Sequence, residues 1–166
     1  MQTIEKFYYD ILKEQATKNP DREAIVMGDV RLTYKEFLHK VDQVAATLLS
    51  MKLQKGDKVV LWADTSPKWH FVYYGILRSG GIAVILNTKL TLQEAKPLIE
   101  FADSKYVIYG KVHDLAGTSE DAKTLSEIFN IPIENCVSMV DNDFSNAPDI
   151  KPDTTGWNVH DDAYII

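Results

Sequence analysis

The side chains with the widest chemical repertoire in this sequence are His39, His70, His113, His160 and the single Cys136. Zinc binding needs His or Cys partners a few residues apart, and none of the five has one. A nucleophilic cysteine needs a basic neighbour or a glycine-rich elbow that lowers its pKa. Cys136 stands instead in the apolar run CVSMV and reads as a buried, inert thiol. Phosphate chemistry needs a glycine loop between a strand and a helix. Gly75-Ile76-Leu77-Arg78-Ser79-Gly80-Gly81-Ile82 has the glycine spacing of such a loop but Gly-Ile where Lys-Ser should stand. It also falls at the end of a helical pattern, which presents carbonyls rather than amide donors, so a helix stop is expected there. The dinucleotide fingerprint Gly-x-Gly-x-x-Gly is absent. His70, beside Trp69, opens a helix after a buried strand, where sites in α/β sheets lie, but without a partner it reads as a packing or surface residue. Ser66, Ser79, Ser104 and Ser119 fall at helix ends or strand starts, and capping or turn roles account for them. The pairs Glu120-Asp121 and Asp161-Asp162 suit solvation or helix starts. The residue chemistry assigns no catalytic and no metal-binding side chain.

The elements that would position any site are legible in the spacing of apolar residues. Ile4, Phe7, Tyr8, Ile11 and Leu12 predict a first helix ending at Asn19-Pro20. AIVM (24–27) and VRLT (30–33) flank Gly28-Asp29 and predict a hairpin. Thr33 with Glu36 makes a capping box for a helix to about Met51, carried by Tyr34, Phe37, Leu38, Val41, Ala45, Leu48 and Leu49. KVVLWA (58–63) and IAVIL (82–86) are continuous apolar runs, as in strands covered on both faces. Between them Ser66-Pro67 opens a helix that Gly80-Gly81 stops. Thr91 and Glu94 form a second capping box, in a helix where Pro97 should remove a hydrogen bond or bend the axis. KYVIY (105–109) is a strand, Thr118 to Phe129 a helix, CVSMV (136–140) a short strand, and 142–162 a long loop before the β-prone AYII. The alternation predicts an α/β fold in three layers: a doubly wound, mostly parallel sheet with helices on both faces, preceded by a helix and a short hairpin.

Composition narrows the class. The 166 residues suit a single domain, 1–166, and 45% apolar with 25% charged residues is globular composition. No apolar run approaches the roughly 18 residues of a membrane span, and the first residues lack the pattern of a signal peptide. One cysteine fits a reducing compartment, so a cytoplasmic location is expected. A net charge of −6 argues against a general nucleic-acid binder. The 110–166 stretch carries 11 acidic and 3 basic residues, as a solvated, loop-rich segment would.

The order of motifs is more informative than any one residue. Leu32-Thr33-Tyr34-Lys35-Glu36-Phe37 resembles the Leu-Thr-Tyr-x-Glu-Leu signature of the adenylate-forming acyl-CoA synthetase and ligase superfamily. Pro20 to Ile25 resembles the Pro-x-x-x-Ala phrase before it, and Gly56-Asp57-Lys58-Val59-Val60-Leu61 its Gly-Asp-x-Val-Ala-Ile strand. Tyr74 to Asn87 is similar to the helix and Lys-x-Gly-Ala-x-x-Val-Pro-x-Asn strand of its second core motif. Leu86-Asn87 and Pro97 depart from the usual wording and leave the subfamily open. The resemblance is good over 1–109, weak over the variable 110–161, and returns at 162–166, which resembles the strand running into the family's nucleotide loop. It implies an N-terminal subdomain of a longer enzyme that uses ATP and Mg to turn a carboxylic acid into an acyl-adenylate, then transfers it to coenzyme A. On that reading the nucleotide loop and catalytic lysine lie downstream, the fragment is inactive and binds no cofactor alone, and an exposed truncation surface favours self-association. In some relatives the loop after the 105–109 strand touches the coenzyme, which makes Lys111 and His113 conceivable contacts, but no cofactor-binding residue is assigned. The competing expectation is a stand-alone α/β interaction module without catalysis.

Overall fold

The computed structural model describes residues 7–158 together with the backbone of 164–165. Ile4, His160, Asp161, Asp162 and Ile166 therefore lie outside the described residues. Helix α1 (Tyr8–Lys18) buries Leu12 and Ala16. Strands β1 (Glu23–Met27) and β2 (Val30–Thr33) form the expected antiparallel hairpin, with Met27 opposite Val30 and Gly28 turning at φ +57°. Helix α2 (Tyr34–Ser50) starts on the capping box read from the sequence: the Thr33 hydroxyl accepts from the Glu36 amide at 3.2 Å, and the Glu36 carboxylate accepts from the Thr33 amide at 2.8 Å.

From there strand and helix alternate: β3 (Lys58–Trp62), α3 (Pro67–Arg78), β4 (Ile82–Ile85), α4 (Leu92–Phe101), β5 (Ser104–Tyr109), α5 (Ala122–Phe129), β6 (Cys136–Ser138) and β7 (Tyr164–Ile165). The strands form one sheet in the order β6-β5-β3-β4-β7, every pair parallel. Successive side chains of a strand point to opposite faces, and that alternation sorts the apolar runs into two cores. Val59, Leu61, Ala63, Tyr106 and Ile108 meet α2 and α3 through Val41, Val44, Leu48, Val72 and Ile76. Val60, Trp62, Val84, Val107 and Tyr109 meet α4 and α5 through Ala95, Ile99, Leu125 and Phe129. This is the three-layer, doubly wound arrangement. It explains why the strands read as unbroken apolar runs: Val59 and Val60 are both fully buried, on opposite faces. Helices α2 and α3 approach so closely that a Cβ at Gly75 would stand 2.4 Å from Val44 Cγ1.

Two elements differ from the sequence reading in their limits, and a third keeps its expected proline. The CVSMV strand stops at Ser138, because the Ser138 hydroxyl accepts from the Val140 and Asp141 amides, both at 3.0 Å, and folds the chain into a turn. The 118–129 helix opens as a 3₁₀ turn (Ser119–Asp121), where the Asp121 carboxylate takes the Gly117 and Thr118 amides. Helix α4 runs on through Pro97, which has no N–H to offer the Gln93 carbonyl.

After β6 the chain must cross the whole sheet to reach β7. Residues 142–158 do so without helix or strand, as expected of a loop, but they are pinned. Phe144 is buried in the α2–α3 core. Farther along, the Trp157 ring lies over Gly80, where an added Cβ would meet it at 2.7 Å, and edge-on to Phe7 with centroids 6.2 Å apart.

Candidate functional site

Because all strands of the sheet are parallel, their carboxyl ends share one rim. The chain leaves β3 toward α3 on one face, and leaves β4 and β5 toward α4 and α5 on the other. Ligands of open α/β sheets bind where such connections diverge, which here is on either side of β3. Three loops build this rim: 63–66 after β3, 86–91 after β4 and 110–118 after β5.

Buried aromatic residues hold the loops in place. Trp62, fully buried, donates its Nε1–H to the Asn87 carbonyl at 3.0 Å. Tyr109, also fully buried, donates its hydroxyl to the Thr118 carbonyl at 2.9 Å. Burial is the main cause that pushes the Tyr109 phenol far above its ordinary pKa, so it acts only as a neutral donor. Ser138, buried, donates to the Gly117 carbonyl at 2.5 Å. The 110–118 loop is tied to its neighbour by the His113 amide, which donates to the Thr88 carbonyl at 3.0 Å.

On this frame the exposed polar groups include Asp64, Thr65, Asn87, Lys89, Lys111, His113 and Asp114. Asp114 has two partners: His113 Nδ1 lies 2.7 Å from its Oδ1, and the Leu92 amide at the start of α4 donates to its Oδ2 at 2.8 Å. The hydrogen bond to His113, then that to Leu92, hold its carboxyl below the usual carboxylate range. Holding Nδ1 leaves Nε2 as the ring nitrogen of His113 open to a ligand. Lys68, in the first turn of α3, donates to the carbonyls of Met139 at 2.7 Å and Asn142 at 3.4 Å. Burial chiefly lowers its pKa. It clamps the loop after β6.

The residues singled out in the sequence divide sharply. Lys111 and His113 do reach the rim, exposed. His70 does not act there: its Nδ1 lies 2.8 Å from the Ser66 carbonyl in its own helix. Gly80 and Gly81 end α3, donating to the Leu77 and Ile76 carbonyls at 3.1 and 3.0 Å with Gly80 at φ +87°, so the glycine spacing is a helix stop. Ser66 caps α3 by accepting from the Trp69 amide at 3.1 Å, and Ser79 donates to the Ile76 carbonyl at 2.7 Å. The Ser119 amide is taken by Asp141 at 2.5 Å, and the Ser104 hydroxyl is buried without a hydrogen-bond partner. Cys136 is buried, and burial pushes its thiol up to about 11, out of reach of nucleophilic chemistry near neutrality. Asp114 and Lys68 were not legible, because each acts on a backbone group far away in sequence.

A family model described as AMP-binding enzyme matches residues 12–166. The chain belongs to the AMP-binding enzyme family. Its curated relatives include the long-chain-fatty-acid–CoA ligase FadD13 of Mycobacterium tuberculosis, 33% identical over 102 residues, covering 60% of this chain and 20% of that protein. The 2-succinylbenzoate–CoA ligase of Bacillus licheniformis is 31% identical over 100 residues, covering 60% of this chain and 21% of that protein. The chain thus spans about a fifth of the length of these ligases. Among solved structures, the N-terminal subdomain of Klebsiella oxytoca NpsA in complex with anthranilyl-AMSN superposes with a TM-score of 0.75 at 21% identity, covering 98% of this chain and 38% of that one. O-succinylbenzoate coenzyme A synthetase (MenE) of Bacillus subtilis in complex with AMP gives 0.73 at 20% identity, covering 90% and 28%. At that identity the likeness establishes the fold, which this chain shares with the NpsA N-terminal subdomain.

Proposed function

We propose that this AMP-binding family chain is the scaffold end of an ATP-dependent acid–thiol ligase. Such an enzyme activates a carboxylic acid as its acyl-adenylate and passes the acyl group to coenzyme A. The observation that carries the reading is the match of the family over 12–166, joined to relatives that are acid–CoA ligases.

The rim itself sets what this chain contributes. A magnesium triphosphate calls for converging amide donors, a lysine and oxygen ligands for the metal. Here the Trp69 amide of α3 is taken by Ser66, and in α4 the Leu92 and Glu94 amides are taken by Asp114 and Thr91. Among the described residues no three His, Cys, Asp or Glu side chains gather as metal ligands. These residues do not fit MgATP, and no adenylation step is derived from them. On this reading the chain alone is expected to be inactive. Lys111 and His113 stand as exposed donors suited to an anionic coenzyme. The acidic balance, −6 overall, is unsuited to general nucleic-acid binding, and the single, buried cysteine suits the cytoplasm. No helix among the described residues is long and apolar enough to cross a membrane.

One observation favours a second reading, a non-catalytic interaction module. Phe101 is 91% exposed on α4 with Leu98 one turn before it, an apolar stripe that a solvated helix does not need and that also favours self-association.

Calorimetric titration of the purified chain with MgATP, and separately with coenzyme A, tests the proposal. No saturable heat is expected with MgATP; stoichiometric binding would overturn the scaffold reading. A coenzyme A signal lost in Lys111→Ala places the coenzyme on the rim, and one that persists removes Lys111 from it.

A further inference from the structure

We propose that the groove between α1, α2 and residues 145–152 binds a small molecule joining an oxyanion to an apolar body, with Arg78 as its anchor. The groove encloses about 690 Å³, within the range of small-ligand sites. It lies at the C-terminal end of α3, the opposite end of that helix from the rim, and the inference is independent of the ligase reading.

Arg78 is the unusual residue. Its side chain is only 15% exposed, and the guanidinium stacks on the Tyr9 ring with its carbon 3.8 Å from the centroid. Its Nε is buried without a hydrogen-bond partner, and the nearest acid, Asp42 Oδ1, stands off at 3.5 Å. The other oxygen of Asp42 is equally loosely engaged, 3.4 Å from the Tyr9 hydroxyl. A guanidinium carries five donors in a planar fork that matches a carboxylate or phosphate, and contacts this long leave that capacity largely unused. Arg78 opens not only on this groove but also on an adjoining one of about 260 Å³, and Lys13 lines both. Lys151 brings a third cation from the crossing segment. No ion pair engages Lys13 or Lys151 among the described residues. Asp42 and Asp149 line the groove and Asp10 the adjoining one, so the site is not a bare cationic patch and its affinity is modest. Leu38, Ala46 and Ile150 supply the apolar surface that selects a ligand with a body as well as a head.

Amide NMR titration of the chain with inorganic phosphate and, separately, with hexanoate tests this. Saturable shifts centred on Tyr9, Lys13, Arg78 and Ile150 are expected, with hexanoate binding roughly tenfold more tightly than phosphate because its chain is buried. Arg78→Gln should abolish the shifts. Lys13→Gln, an exposed change that leaves the fold intact, should weaken binding severalfold, and Asp42→Asn should strengthen it by releasing the guanidinium. Phosphate binding as tightly as hexanoate overturns the apolar body. The absence of saturable shifts, or shifts indifferent to both Arg78→Gln and Lys13→Gln, overturns the site.

Discussion

Two stretches of this chain are ordered by different means. Residues 58–109 are a regular alternation of strand and helix, in which successive strand side chains are buried against helices on opposite faces. Residues 110–158 hold a short helix, a three-residue strand and a long crossing segment, fixed at points: Tyr109 to Thr118, Ser138 to Gly117, Phe144 in the core and Trp157 over Gly80. Periodic burial spreads stability over many residues. Pinning concentrates it, and leaves the residues between pins free to vary with little effect on the fold.

The largest effect that could break this contrast is expected at Trp62. Trp62→Ala removes a fully buried ring and its hydrogen bond to Asn87 from the regular stretch, and should cost about 3–5 kcal/mol in urea denaturation. Ile150→Ser, between pins and exposed, should change stability by less than about 0.5 kcal/mol. Comparable losses at both would erase the distinction. Gly80→Ala sharpens it, because it strikes one pin from below. The left-handed backbone alone costs about 1–2 kcal/mol in a residue with a Cβ, and the added methyl meets the Trp157 ring. Faster hydrogen exchange should follow in 154–158 while β3 stays protected. The smallest effect concerns pH in the regular stretch. Hydrogen bonds from the Thr91 backbone, then its side chain, hold the Glu94 carboxyl below its ordinary 4.5. Its contribution is therefore complete above about pH 4.5 and is lost as pH falls through the lower folded value. Glu94→Gln should flatten that part of the stability profile between about pH 3 and 7, lowering stability at the upper end with little change at the lower end.

The same contrast explains what could be read from the residues. Thr33 with Glu36 and Thr91 with Glu94 were legible because both partners of each box lie within one turn, and the strands because burial on both faces leaves an unbroken apolar run. The family resemblance followed the regular stretch and faded where the pins begin. Asp114 on the Leu92 amide, Lys68 on the Met139 carbonyl and Trp157 over Gly80 join residues 22, 71 and 77 apart, and no local pattern announces such pairs. The rim inherits this split: Lys111 and His113 could be named only through the family resemblance, whereas the groups that fix them could not be named at all. Ser138 shows the limit in one residue. Inside an apolar run it continued a strand on paper, yet its hydroxyl turns the backbone.

The strand order carries a kinetic consequence. Among the described residues β7 pairs only with β4, at the edge opposite β6, its predecessor in the chain. It can dock only after β3 and β4 have assembled and the long crossing segment has closed, and loop closure over such a span delays non-local pairing. β7 is thus placed to be the last strand to join on refolding and the first to leave on partial opening.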